Sequence, residues 1–145
     1  MTRIPADDPI AQLLADHTAT RHQLALLADP ARRAQAAAWF DGPAPEQHRI
    51  LQQLLFPALI ESMAGSDAVC LKGMTQGLSE LGQALYQRWH AIRDHLGDAT
   101  TATTALPAWI DDYQTYLQQA DEELLPMASR LLDDAALDLL RQALK

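Results

Sequence analysis

Imidazole, carboxylate and phenol are the side chains of this chain that hold cations or move protons. They are concentrated in five histidines (His17, His22, His48, His90 and His95), two acidic runs (Asp111-Asp112 and Asp121-Glu122-Glu123) and the pair Tyr113 and Tyr116. Neutral imidazole binds transition metals and titrates near neutrality, so each histidine is weighed as a ligand or as an acid–base group. His17 shares an apolar helical stripe with Ile10, Leu13, Leu14, Leu24 and Leu27. It reads as a core histidine that needs a hydrogen-bond partner, with Tyr116 and Gln47 the expected ones. His22 falls off that stripe, and His48 stands beside Arg49; both are expected at the surface. His90 and His95 are five residues apart, which turns them more than a right angle from each other on a helix. They suit the C-terminal end of a helix dipole better than one shared ion.

The remaining candidates read as structure. The acidic runs form a solvated helix face, Tyr113 and Tyr116 are core aromatics, and Cys70 is a structural thiol with Lys72 its one basic neighbour. No nucleophile–base pair, glycine-rich phosphate loop or CxxC motif is present. The expectation is that the chain is not an enzyme.

The elements that must position these groups are helices. Leu and Ala dominate, and β-branched residues are sparse outside 100–104. Helix A opens at Asp8-Pro9 and closes at Asp29-Pro30, and a short helix is expected over 31–39 before the turn at Asp41-Gly42-Pro43. Helix B is expected from Pro45 to Met63 with Gln47, Leu51, Leu54 and Ala58 inward. Gly65-Ser66-Asp67 ends it and caps helix C. Helix C covers 67–96 on a stripe of Leu71, Met74, Leu78, Leu81, Leu85 and Ile92, with Gly73, Gly77 and Gly82 permitting close packing or a kink. The tract 99–104 reads as a solvated linker whose threonines cap helix D. Helix D begins near Leu106-Pro107 and buries Trp109, Ile110, Tyr113, Tyr116, Ala120, Leu124 and Met127. A last amphipathic segment starts at Asp133 or Asp134 and ends at Leu144.

Two prolines lie deep inside apolar helical runs. Leu55-Phe56-Pro57-Ala58 in helix B is matched by Leu124-Leu125-Pro126-Met127 in helix D. A proline inside a helix costs about 3 kcal/mol, so its use twice in matched contexts reads as one helical-hairpin plan repeated. The expected architecture is all-α, an up-down-up-down four-helix bundle with short extra helical segments, occupying 1–145 as one domain.

The chain has 145 residues and a formal charge of −8. That balance argues against nucleic acid as a partner, because such binding rests on phosphate neutralisation by Lys and Arg. No apolar run approaches the ~20 residues needed to cross a bilayer. The single cysteine fits a reducing cytoplasm.

The chain resembles the hemerythrin/HHE cation-binding domains. The resemblance rests on Asp16-His17, the Phe-Asp-Gly-Pro lead-in at 40–43, Leu-Phe-Pro-Ala-Leu at 55–59, Glu-Glu-Leu-Leu-Pro-Met-Ala at 122–128 and Arg-Leu-Leu-Asp-Asp at 130–134. It implies a four-helix bundle holding non-haem iron, often two ions, through His and Glu four residues apart on helices B and D and a further His on helix C. Aligned on the prolines, those positions are Gln47 and Leu51, Tyr116 and Ala120, with Thr75 near the helix C position. His17 alone keeps the family residue. A register shifted by one would substitute His48 with Gln52 and Leu117 with Asp121; it is rejected because it turns Leu51 outward.

The resemblance therefore implies a degenerate, metal-free hemerythrin-like bundle acting in small-ligand binding, regulation or interaction. Its pocket is expected among His17, Gln47, Leu51, Thr75, Tyr116 and Ala120, with no cofactor and no membrane. The partner is expected to be a small apolar ligand, a protein, or a second copy that meets apolar surface around Trp39 and Trp89. The alternative is a non-haem iron protein handling oxygen, nitric oxide or iron with a non-standard ligand set.

Overall fold

The computed structural model describes residues 8–62 and 66–145, and every regular element among them is helical. The elements are α1 (Pro9–Ala28), α2 (Arg33–Asp41), α3 (Pro43–Ile50), α4 (Phe56–Glu61), α5 (Ser66–Arg93), α6 (Leu106–Gln119), α7 (Leu125–Leu131) and α8 (Asp134–Ala143). The expected lead-in at 1–7 and the end of helix B at 63–65 lie outside the described residues, as do the side chains of Ser66 and Asp67.

The start signals act as the sequence implies. Asp8 accepts a hydrogen bond from the Ile10 amide at 2.9 Å, with Pro9 in the first turn of α1. Asp133 does the same for Ala136 at the start of α8, again at 2.9 Å.

Three π-helical turns join consecutive helices into longer rods. Leu51–Leu55 links α3 to α4, Thr101–Ala105 leads into α6, and Ala120–Leu124 links α6 to α7. Each is followed by one residue and then a proline: Pro57, Pro107 and Pro126. The residue before each proline donates to a carbonyl five positions back: Phe56 to Leu51, Leu106 to Thr101, and Leu125 to Ala120. Proline has no amide hydrogen, and its ring would strike the carbonyl four positions back in an α-helix. The wider turn takes up both problems without breaking the rod.

The π turns explain two corrections. The tract 99–104 is helical rather than a linker, and its buried-side burden is nil, since no residue of Thr101–Ala105 is buried. Thr103 bonds the Ala99 carbonyl within its own helix at 2.8 Å and caps nothing downstream. A π turn also inserts one residue, which rotates everything after it. The inward residue beyond the first such turn in the core is therefore Leu59 rather than Ala58, and beyond the last it is Ala128 rather than Met127.

α1 packs on α2, α3, α6, α7 and α8, while α5 packs on α3, α4 and α6. Leu13, Leu24, Leu27, Leu51, Leu55, Leu59, Leu124 and Leu125 are fully buried between them. Leu14, expected on the inner stripe of α1, is exposed. Trp89 is 1 % exposed, which corrects its expected place on an assembly surface, whereas Trp39 is half-buried against the core. Trp89 Nε1 donates to Asp41 at 2.9 Å, Trp109 Nε1 to the Leu85 carbonyl at 2.8 Å, and Trp39 Nε1 to Thr20 at 2.9 Å. Each indole thus buries its rings and keeps its polar atom bonded.

Candidate functional site

Histidine and arginine four residues apart on α1 lie on one helical face. His17 and Arg21 use that spacing to grip a single carboxylate. His17 Nδ1 donates to Asp121 Oδ1 at 2.5 Å, and Arg21 Nη2 lies 2.6 Å from Oδ2. Asp121 stands in the π turn after α6, and its side chain is 12 % exposed. Burial opposes its charge, but the bonds and charge from His17 and Arg21 outweigh that, so its pKa is held below the ordinary 3.8. Two expectations are corrected here. His17 pairs with Asp121, not with Tyr116 or Gln47, and Asp121 is half-buried against α1 rather than on a solvated acidic face.

Gln47 is half-buried and accepts from the Thr20 hydroxyl at 2.9 Å, which in turn accepts from Trp39. Leu51 and Ala120 are fully buried hydrocarbon. Thr75 is buried, and its hydroxyl returns to the Lys72 carbonyl of its own helix at 3.1 Å.

The sixth expected position, Tyr116, has a partner the sequence reading placed outside. His48 Nδ1 lies 2.6 Å from the Tyr116 hydroxyl, with the two rings 5.5 Å apart. His48 is half-buried, not exposed, and its Nε2 is buried without a hydrogen-bond partner. Gly82 of α5 makes the room: a Cβ there would run into the imidazole, 2.6 Å from Nε2. Burial lowers the His48 pKa, and the backbone of Ser79 only partly opposes it. Burial, with the nearby Tyr113 and Asp121, pushes the Tyr116 phenol well above its usual value. Near neutral pH the imidazole is therefore uncharged and the phenol keeps its proton; with the ring hydrogen on Nε2, Tyr116 donates and His48 Nδ1 accepts.

Beside this pair opens a cleft of about 370 Å³ between α3, α5 and α6. Trp89, Trp109, Phe40 and Tyr113 form its floor, packed on one another with ring centres 4.9 to 5.6 Å apart. His48 and Tyr116 line it too, and Gln52, Gln83 and Gln87 stand on its walls. Of the six expected pocket residues only Tyr116 borders this cleft. Of the other five, His17, Leu51, Thr75 and Ala120 are buried and Gln47 is half-buried.

A pair of iron ions needs several imidazoles and carboxylates converging from different helices. The donor set here does not fit. Arg21 brings a guanidinium to Asp121, the carboxylate that meets His17, and among the described residues no group of three His, Cys, Asp or Glu side chains converges to hold an ion. Nor is any helix among them long and apolar enough to cross a membrane. His90 stacks edge-on to Tyr86 and His95 pairs with Asp98 at 3.1 Å, so neither reaches the other.

Set beside protein-family models, characterised proteins and solved structures, the chain matches none of them.

Proposed function

We propose that the protein is a hemerythrin-like four-helix bundle that has given up metal binding and serves as a small-molecule-binding or regulatory domain through the cleft at His48 and Tyr116. The observation that carries this reading is the pairing at the centre. His17, the one residue kept at a family ligand position, spends its Nδ1 on Asp121, whose charge is already balanced by Arg21. Leu51 and Ala120 stand where the resemblance implies glutamates. At His17 no ion is needed to balance charge, because Asp121 and Arg21 already do so.

The adjacent cleft supports the binding half of the reading. It is concave, largely apolar, and meets a titratable pair whose acidities burial has shifted, the combination that marks a ligand site.

Thermal unfolding with and without ferrous iron, zinc or a chelator tests the first half. A metal that binds the folded state raises the midpoint with the logarithm of its free concentration over its Kd. The expected result is one midpoint in all conditions; a rise with iron that the chelator reverses would contradict the reading.

A further inference from the structure

Resting on the reading of the cleft as a ligand site, we propose that its occupant is an uncharged, flat molecule of one or two fused rings carrying an N–H or O–H donor, of the indole or phenol class. Three features of the cleft select that chemistry. Its volume of about 370 Å³ lies at the small end of the range of roughly 300–1,000 Å³ typical of ligand pockets, which suits a small ring system. Its floor is aromatic, so a flat ring entering it meets other rings at the offset and edge-on geometries that π-systems favour. The third feature is electrostatic.

Among the described residues the charged side chains on the lining are Glu46 and Arg49, and these neutralise each other through bonds of 2.8 and 2.5 Å. Arg49 is further occupied by Gln53 at 2.9 Å. A carboxylate entering here would meet Glu46 as well as an already engaged guanidinium. The polar groups that remain are uncharged: the amides of Gln52, Gln83 and Gln87 and the phenols of Tyr86 and Tyr113. Tyr116 and His48 line the cleft as well; with the imidazole hydrogen on Nε2, the Tyr116 hydroxyl gives its hydrogen to Nδ1, which leaves its oxygen to accept one from the ligand.

The test uses the full chain labelled with nitrogen-15 and three unlabelled probes: indole, benzothiophene (the same shape without the N–H) and decanoate. Indole is expected to move the side-chain N–H signals of Trp89 and Trp109 and the amide of Gly82. Benzothiophene should bind more weakly at the same place, and decanoate should leave these signals unmoved. Tyr116→Phe should weaken indole roughly three- to tenfold, the range for one neutral hydrogen bond, and leave benzothiophene unchanged. Gln83 is exposed at the rim, so Gln83→Trp should block both ring compounds without disturbing the core, which keeps the test open if Tyr116→Phe folds poorly.

Preferential binding of decanoate would overturn the proposed ligand class while leaving the cleft as a binding site. Equal affinity for indole and benzothiophene, or indole binding insensitive to Tyr116→Phe, would overturn the donor requirement. No response to any probe, or signals that move only with protein concentration as a second copy covers the cleft, would overturn both this proposal and the function it rests on.

Discussion

His48 rests on Gly82 so closely that a single methyl group on α5 would overlap its imidazole. The contact joins α3 to α5 at the wall of the cleft, and it depends on the absence of a side chain. Gly82→Ala should therefore destabilise the protein by about 1–3 kcal/mol through overpacking, outweighing the gain in helix propensity. Gly77 lies on the same helix with open space around it. Gly77→Ala should stabilise by up to about 1 kcal/mol from propensity alone. Urea unfolding of the two variants checks the opposite signs; equal effects would mean that His48 does not occupy the Gly82 gap.

Because burial lowers the His48 pKa, the folded protein binds fewer protons there than the unfolded chain. This preference for the neutral ring contributes fully above the unfolded value near 6.5 and is lost as pH falls through the lower folded value. Stability should therefore decline as pH is lowered from 7.5 to 5. His48→Asn should flatten that decline, measured as the urea midpoint at each pH. Parallel profiles for the two proteins would contradict the burial of this ring.

Asp121 works in a more acidic window. Its folded pKa is lowered, so its contribution is present above 3.8 and fades as pH falls through the folded value. Asp121→Ala leaves the buried His17 without its acceptor, and the expected cost is about 1–3 kcal/mol. Arg21→Ala should cost less, under about 1 kcal/mol, because that guanidinium is more than a third exposed and screened by water. Denaturation curves at pH 7 give the ranking, and the reverse order would mean that Arg21, not His17, anchors the carboxylate.

The helices were legible because their signals are local. Asp8-Pro9, Asp29 and Asp133 mark ends by direct hydrogen bonding or by φ, and the Leu spacing marks the inner faces. The candidate site was legible only in part. Helical spacing points Leu51, Tyr116 and Ala120 inward, and they are buried; it points His48 and Asp121 to solvent, yet both are half-buried and bonded to Tyr116 and His17. Both sit one residue from the inward stripe, where periodicity alone favours the surface. What brings them in is tertiary: a missing side chain at Gly82, and a carboxylate partner for the His17–Arg21 pair. The glycine was visible, but nothing in helix C names the residue that would fill its gap. The spacing of His17 and Arg21 was a usable clue to a bridging carboxylate.

Proline gave a clearer signal than the sequence reading drew from it. A π turn is an α-helix with one residue inserted, so deletion of Gln53 should restore an α-helix from α3 through α4 without changing the facing of either. The deletion alone returns the Pro57 clash, a cost of about 3 kcal/mol. Combined with Pro57→Ala, it should recover most of that stability. Thermal unfolding of the single and double changes checks this, and failure of the second change to rescue the first would show that the π turn is not there to accommodate the proline.

The proposed metal-free state has protein side chains, not an ion, as the partners of His17. Its most direct test is elemental analysis of the protein produced with iron in excess and purified without chelator. Iron and zinc far below one ion per chain are predicted, unchanged in His17→Ala. A near-stoichiometric ion that His17→Ala or Asp121→Ala removes would contradict the account.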